Sequence, residues 1–246
     1  MMKGTKGPSD GLTLMRLMHL SSVGLPVGGY SFSHGLEFAL DARWLNNADQ
    51  IEQWITVQLL HGLARVDLPV LLNVMRVLDN SPNVQTDKAR NLMNQAGPLH
   101  LLQPWNDLAL ACRESRELRM TDAAMGNALA KLLPALGLPC LPAQPGFDWS
   151  FPVLFAWASQ AWAIEPHHAA CGYAWSWLEN QVTAATKLLP LGQTQAQALL
   201  ASCQYSVPQA VALAATLGED DIGASLPALA AASARHETQY TRLFRS

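Results

Sequence analysis

Ile51, Trp54, Ile55, Leu59 and Leu63 fall at i, i+3, i+4, i+8 and i+12. That spacing lines one face of an α-helix and does not fit the two-residue alternation of a half-buried strand. The same helical rhythm recurs along the whole chain, and no convincing alternating segment interrupts it. Leu and Ala dominate the apolar residues while Ile is scarce, which favours helix over strand. The expected fold is therefore all-α, a single-domain helical bundle of about ten helices spanning 1–246, with a Gly/Pro-rich N-terminal turn and a mobile C-terminal tail. A chain of 246 residues is long enough to bury a substantial core.

Local signals place the elements. Asn47 and Gln50 stand at capping-box spacing before the helix of 48–65. A second helix follows from Asp67, with Pro69 tolerated in its first turn. Further helices are expected at 86–95, 105–119, 121–136, 150–164, 166–189, 193–204, 207–217 and 224–235. Glu165-Pro166 reads as N-cap then N1, and Ser206 with Gln209 repeats the capping-box spacing. The Pro-rich stretch 137–148 has flanks of equal composition and reads as a connection inside one bundle. The ends, 1–10 as a disordered N-terminus and 236–246 as a tail, are the expected mobile parts.

Half of the residues are hydrophobic and only 14% are charged, so the surface is sparse in charge, as in proteins that live in complexes. A net charge of -3 without a basic stripe gives no sign of nucleic-acid binding. The segment MMKGTKGPSDG lacks the apolar run of a signal peptide, and the longest apolar run, Phe151–Ile164, is too short to span a bilayer. The expectation is a soluble cytoplasmic protein. Cys112, Cys140, Cys171 and Cys203 form no C-x-x-C pair, which points to reduced thiols rather than a disulfide framework.

Several constellations could carry function. LPVGGYSFSHGLE (25–37) has adjacent glycines, but no preceding strand and no Gly-Lys-Ser/Thr, so it reads as a helix–helix turn rather than a phosphate loop. In that reading Pro26 ends the first helix, Gly28-Gly29 supply positive φ, and Ser31 or Ser33 caps the next helix. The turn presents Tyr30, His34 and Glu37 at a surface, and His34 with Glu37 could form an acid–base pair. His167, His168 and Cys171 stand at metal-ligand spacing on one helix. In CRESRELRMTD (112–122) Arg113 and Glu117 read as an i, i+4 pair, on a helix face that is either solvated or turned toward a partner. GEDDIG (218–223) reads as a solvated acidic loop. Lys187 closes a helix broken by Pro190 and Gly192, and Tyr240, Leu243 and Phe244 punctuate a tail that either awaits a partner or folds back.

LPVGGYSFSHGLE, SRELR, KLLPLGQTQAQ and HETQYTRLFRS occur in an order that resembles the UreF family of urease accessory proteins. The chain departs from the family pattern at Ala196, where Gly is usual, and at Lys187, where Arg is frequent. The resemblance implies an all-α homodimer that is not an enzyme and holds no cofactor. It implies partners UreD (UreH), the GTPase UreG and apo-urease, with GTP-dependent nickel insertion modulated by the bridge, and neither nucleic acid nor membrane. It places the family turn on Pro26, Gly28, Gly29, Tyr30, Ser33 and Gly35. Glu37, Lys187 and Gln193 are expected to face UreG, and His236, Glu237, Tyr240, Arg242, Leu243, Phe244 and Arg245 to face UreD. The alternative is a direct nickel carrier that uses His167, His168 and Cys171.

Overall fold

The computed structural model describes residues 10–80, 99–141 and 146–245. Eleven α-helices occur among them: α1 (Asp10–Leu20), α2 (Leu36–Asp41), α3 (Ala48–His61), α4 (Asp67–Asp79), α5 (Leu99–Ala111), α6 (Arg116–Leu132), α7 (Phe151–Ala161), α8 (Pro166–Leu188), α9 (Gln193–Cys203), α10 (Ser206–Thr216) and α11 (Pro227–His236). Short 3₁₀ turns join several of them, and no strand occurs among the described residues. The helix expected at 86–95 and nearly all of the expected disordered N-terminus lie outside the described residues.

α4 and α7 form the heart of the bundle. Val70, Leu71, Val74, Met75 and Leu78 of α4 are buried, as are Val153, Leu154, Phe155, Ala156 and Trp157 of α7. α7 is apolar all round, which is why its sequence looked continuous and why it sits in the interior. α8 lies across both and also meets α1, α3, α9 and α10. The Pro-rich connection enters the same core through Leu138 and Leu141, as does Trp149 just after it.

Caps explain most of the helix boundaries. Asn47 accepts the N–H of Gln50, while Gln50 reaches back to Asn46 rather than to the cap residue itself. Glu165 accepts the N–H of His168, and Pro166 occupies N1 as expected. Three expectations need correction. The segment 105–119 is not one helix: Ser115 caps α6 by accepting the N–H of Leu118, so the chain breaks between Ala111 and Arg116. Ser206 is the first residue of α10 and no side chain caps that helix. α1 ends at Leu20, well before Pro26.

Candidate functional site

The N-terminal motif folds into a wall with two faces. Gly28 (φ +81°) and Gly35 (φ +75°) turn the backbone left-handed, and Gly35 rather than Ser31 or Ser33 is the N-cap of α2. Gly29 has an ordinary φ and lies close to α8: a Cβ there would come within 2.7 Å of the Asn180 amide nitrogen, so that side chain would have to move. The motif thus lies directly on α8, with Tyr30 and Glu37 on one side of it and His34 on the other.

On the outer side, Glu37 is the hub. Its Oε1 accepts the backbone N–H of Leu243 at 2.6 Å, and its Oε2 accepts that of Phe244 at 2.9 Å. Its Oε2 also meets His236 Nε2 at 2.9 Å, and the other ring nitrogen of His236 lies 2.8 Å from Glu117 of α6. His236 is fully buried, and both carboxylates are nearly so. A neutral imidazole has one N–H, so it could donate to only one of these carboxylates. Two carboxylate contacts therefore require the imidazolium. Burial opposes that charge, but the hydrogen bonds it donates to Glu117 and Glu37 outweigh burial and raise the His236 pKa above its ordinary value. Arg242 adds a longer contact to Glu117 at 3.5 Å.

The tail closes over this hub. Phe244 is buried, and the N–H of Arg245 donates to Ser31 at 2.9 Å. Lys187 Nζ, at the end of α8, sits 5.3 Å from the Phe244 ring centroid and 5.8 Å from that of Tyr30. Tyr240, Leu243 and Tyr30 point outward and are exposed. The tail expected to be mobile is therefore seated on the bundle, and its outer side chains remain available.

The inner side of the wall borders a cavity of about 100 Å³ lined by Gly29, His34, Asp67, Arg113, Asp122 and Tyr173 among others. Arg113 makes a two-pronged pair with Asp67 (2.8 and 3.1 Å) and a third bond to Asp122 at 3.0 Å. The hydroxyl of Tyr173 donates to Asp67 at 2.8 Å. Asp122 also accepts the N–H of Phe151 and the hydroxyl of Ser150, so it anchors the start of α7. Burial alone would push the Asp67 carboxyl up, but Arg113 and Tyr173 hold it below its ordinary value. Burial, aided by the charge of Arg113, pushes His34 down to about 4. His34 is thus neutral at pH 7, edge-on to the Trp177 ring.

Comparison with known proteins bears directly on this arrangement. The family model described as UreF matches residues 45–204, well over half of the chain. The chain belongs to the UreF family. Three relatives, each named urease accessory protein UreF, extend the likeness almost end to end. The one from Marinomonas sp. (strain MWYL1) is 48% identical over 235 residues, 96% of this chain and 95% of the relative. That from Teredinibacter turnerae is 42% identical over 95% of this chain and 98% of the relative. That from Alkalilimnicola ehrlichii is 43% identical over 97% and 98%. The glycine motif and the tail lie outside the segment matched by the UreF model, while the alignments to these relatives span nearly the whole chain.

Within this UreF fold the expected site residues are regrouped. Glu37 and Lys187, read as facing one partner, touch His236, Leu243 and Phe244, read as facing another. Gln193 is exposed at the start of α9. Of Tyr30, His34 and Glu37, only Tyr30 is presented at the surface. His34 and Glu37 do not form an acid–base pair, because one borders the cavity and the other binds the tail. The charged segment 112–122 is a solvated face only in part: Glu114, Arg116 and Arg119 are exposed. Arg113 and Asp122 enter the interior, Glu117 binds His236, and Glu114 accepts from Ser225 and from the N–H of Leu226. The acidic loop is solvated as expected, with Glu219 paired to Arg76 at the surface. Sequence reading missed Asp67 and Tyr173 as members of a charge network. The available signal was a carboxylate and a tyrosine on otherwise apolar helix faces.

Proposed function

We propose that this chain is a urease accessory protein that joins UreD (UreH) and the GTPase UreG into one complex on apo-urease and modulates GTP-dependent nickel insertion. The observation that carries the reading is the seated tail, whose backbone is fixed by Glu37 while Tyr240 and Leu243 stay outward. UreD takes the outer side chains of the tail, with Arg242 and Glu237 beside them. UreG takes the neighbouring surface of Tyr30, Lys187 and Gln193. Glu37 serves this surface from beneath, by holding the strip of chain that both partners read. In such a protein the work is assembly rather than turnover, and it proceeds in the cytoplasm.

Homodimerisation belongs to the same reading. Leu12, Leu14, Met15 and Met18 of α1 are exposed apolar residues on a short helix, which suits a face that another chain covers. The test is co-purification with tagged UreD and UreG, using the full chain, a chain ending at Arg235, and the variant Y240A/L243A. The variant keeps Phe244 and Glu37 intact, so the tail stays seated. Loss of UreD from both altered chains is the expected result. Retention of both partners by the chain ending at Arg235 would overturn the role of the tail.

A further inference from the structure

A second cluster of ligating side chains lies far from the tail. At the start of α8, Glu165, His167 and His168 bring one donor atom each within 4.8 Å of one another. One turn along, Cys171 Sγ lies 3.9 Å from His167 Nδ1. Lys187 is twenty residues further along the same helix, a separation of about 30 Å at 1.5 Å per residue. The cluster is thus independent of the groups that seat the tail.

The donors define a chemistry. Two borderline imidazoles, with one hard carboxylate and one soft thiol beside them, make a mixed set that suits Ni²⁺, Cu²⁺ or Zn²⁺ and is a poor one for Mg²⁺ or Ca²⁺. The positive end of the α8 dipole works against a cation here. Glu165 offsets it, because one carboxylate oxygen accepts the His168 N–H at 3.0 Å and lies 3.7 Å from His168 Nδ1. The carboxylate is therefore held beside the imidazoles by the fold itself. All three of these residues are exposed, so an ion can enter and leave without opening the bundle. Cys171 is half-buried, and burial followed by the charge of Glu165 raises its thiol pKa. Its engagement would transfer the thiol proton to solvent as the sulfur–metal bond forms.

We propose that Glu165, His167, His168 and Cys171 form an exchangeable binding site for one borderline divalent transition-metal ion per chain. The site does not depend on the bridging role, since no tail residue takes part. The experiment is equilibrium dialysis of the untagged full chain against Ni²⁺ and, separately, Zn²⁺ at neutral pH, with Mg²⁺ as control. H167A/H168A and E165Q are compared with the parent chain, E165Q because it keeps a helix-capping oxygen. Expected are one Ni²⁺ or Zn²⁺ per chain, no Mg²⁺, and an affinity lowered at least about tenfold in both variants. Near-ultraviolet absorption of the Ni²⁺-loaded chain should show a thiolate-to-metal band that C171S abolishes. Absence of binding, or binding equal in H167A/H168A and the parent, would overturn the site. Absence of the thiolate band from the loaded parent would remove Cys171 from it.

Discussion

His236→Leu isolates the contribution of the buried imidazolium. The substitution removes one positive charge and two N–H donors while leaving a side chain of similar bulk. Glu37 keeps its bonds from the Leu243 and Phe244 N–H groups. Glu117 is left worse off, with Ser233 at 3.4 Å and Arg242 at 3.5 Å as its remaining partners. Removing one member of a buried charge pair costs about 3–5 kcal/mol, most of it the stranded partner. For a domain of this size each kcal/mol corresponds to about 2–4 °C, so the melting temperature should fall by roughly 6–20 °C. Scanning calorimetry measures the fall, and hydrogen exchange at the Leu243 and Phe244 amides should show lost protection of the tail. Adding Glu117→Gln removes the stranded charge, so the double variant should be clearly more stable than the two single costs combined. A fall below about 2 °C, or strictly additive costs in the double variant, would refute the claim that His236 is charged and held by both carboxylates.

The two perturbed histidines should shape stability against pH in opposite directions. His34, lowered to about 4, costs stability as pH falls below about 6.5, and His236, raised, contributes stability that is lost as pH rises through its folded value. Urea titrations across this range should therefore give a maximum that H236L flattens on its alkaline side. Asp122→Ala should cost about 3–5 kcal/mol, because it strips Arg113 of one anion and α7 of its anchor; a change under about 1 kcal/mol in the urea midpoint would argue against the network. Gly126→Ala should cost at least about 3 kcal/mol or prevent soluble folding, since its Cβ would meet the Trp149 carbonyl oxygen at 1.9 Å. Lys187→Ala should loosen the tail by about 1 kcal/mol, read as faster exchange at Phe244 with little change in the global melting temperature.

Much of the helical architecture was legible because its signals are local. The apolar face of α3 and the Glu165-Pro166 start of α8 each depend on residues within a turn or two. The charged segment failed for the same reason. An i, i+4 pairing of Arg113 with Glu117 presumes a helix through both, and the Ser115 cap breaks that helix. Arg113 is then free to bind Asp67, 46 residues away, and Glu117 to bind His236, 119 residues away. The tail hub was unreadable at the level of geometry, since Glu37 and Leu243 are 206 positions apart. What the sequence did offer was ionisable residues placed inside four short motifs of a charge-poor chain. It did not tell which of them face water and which face each other.

Glu37 grips the tail by main-chain N–H groups at Leu243 and Phe244, and the carbonyl of Ser31 does the same for the N–H of Arg245. A latch made of backbone is blind to the side chains it carries. It reads where the chain runs, and identity is checked at Phe244 by the space it must fill and at Arg242 by its contact with Glu117. The outward positions are released from any duty to the fold. Their chemistry can drift with whatever surface they meet, while the path that displays them stays the same.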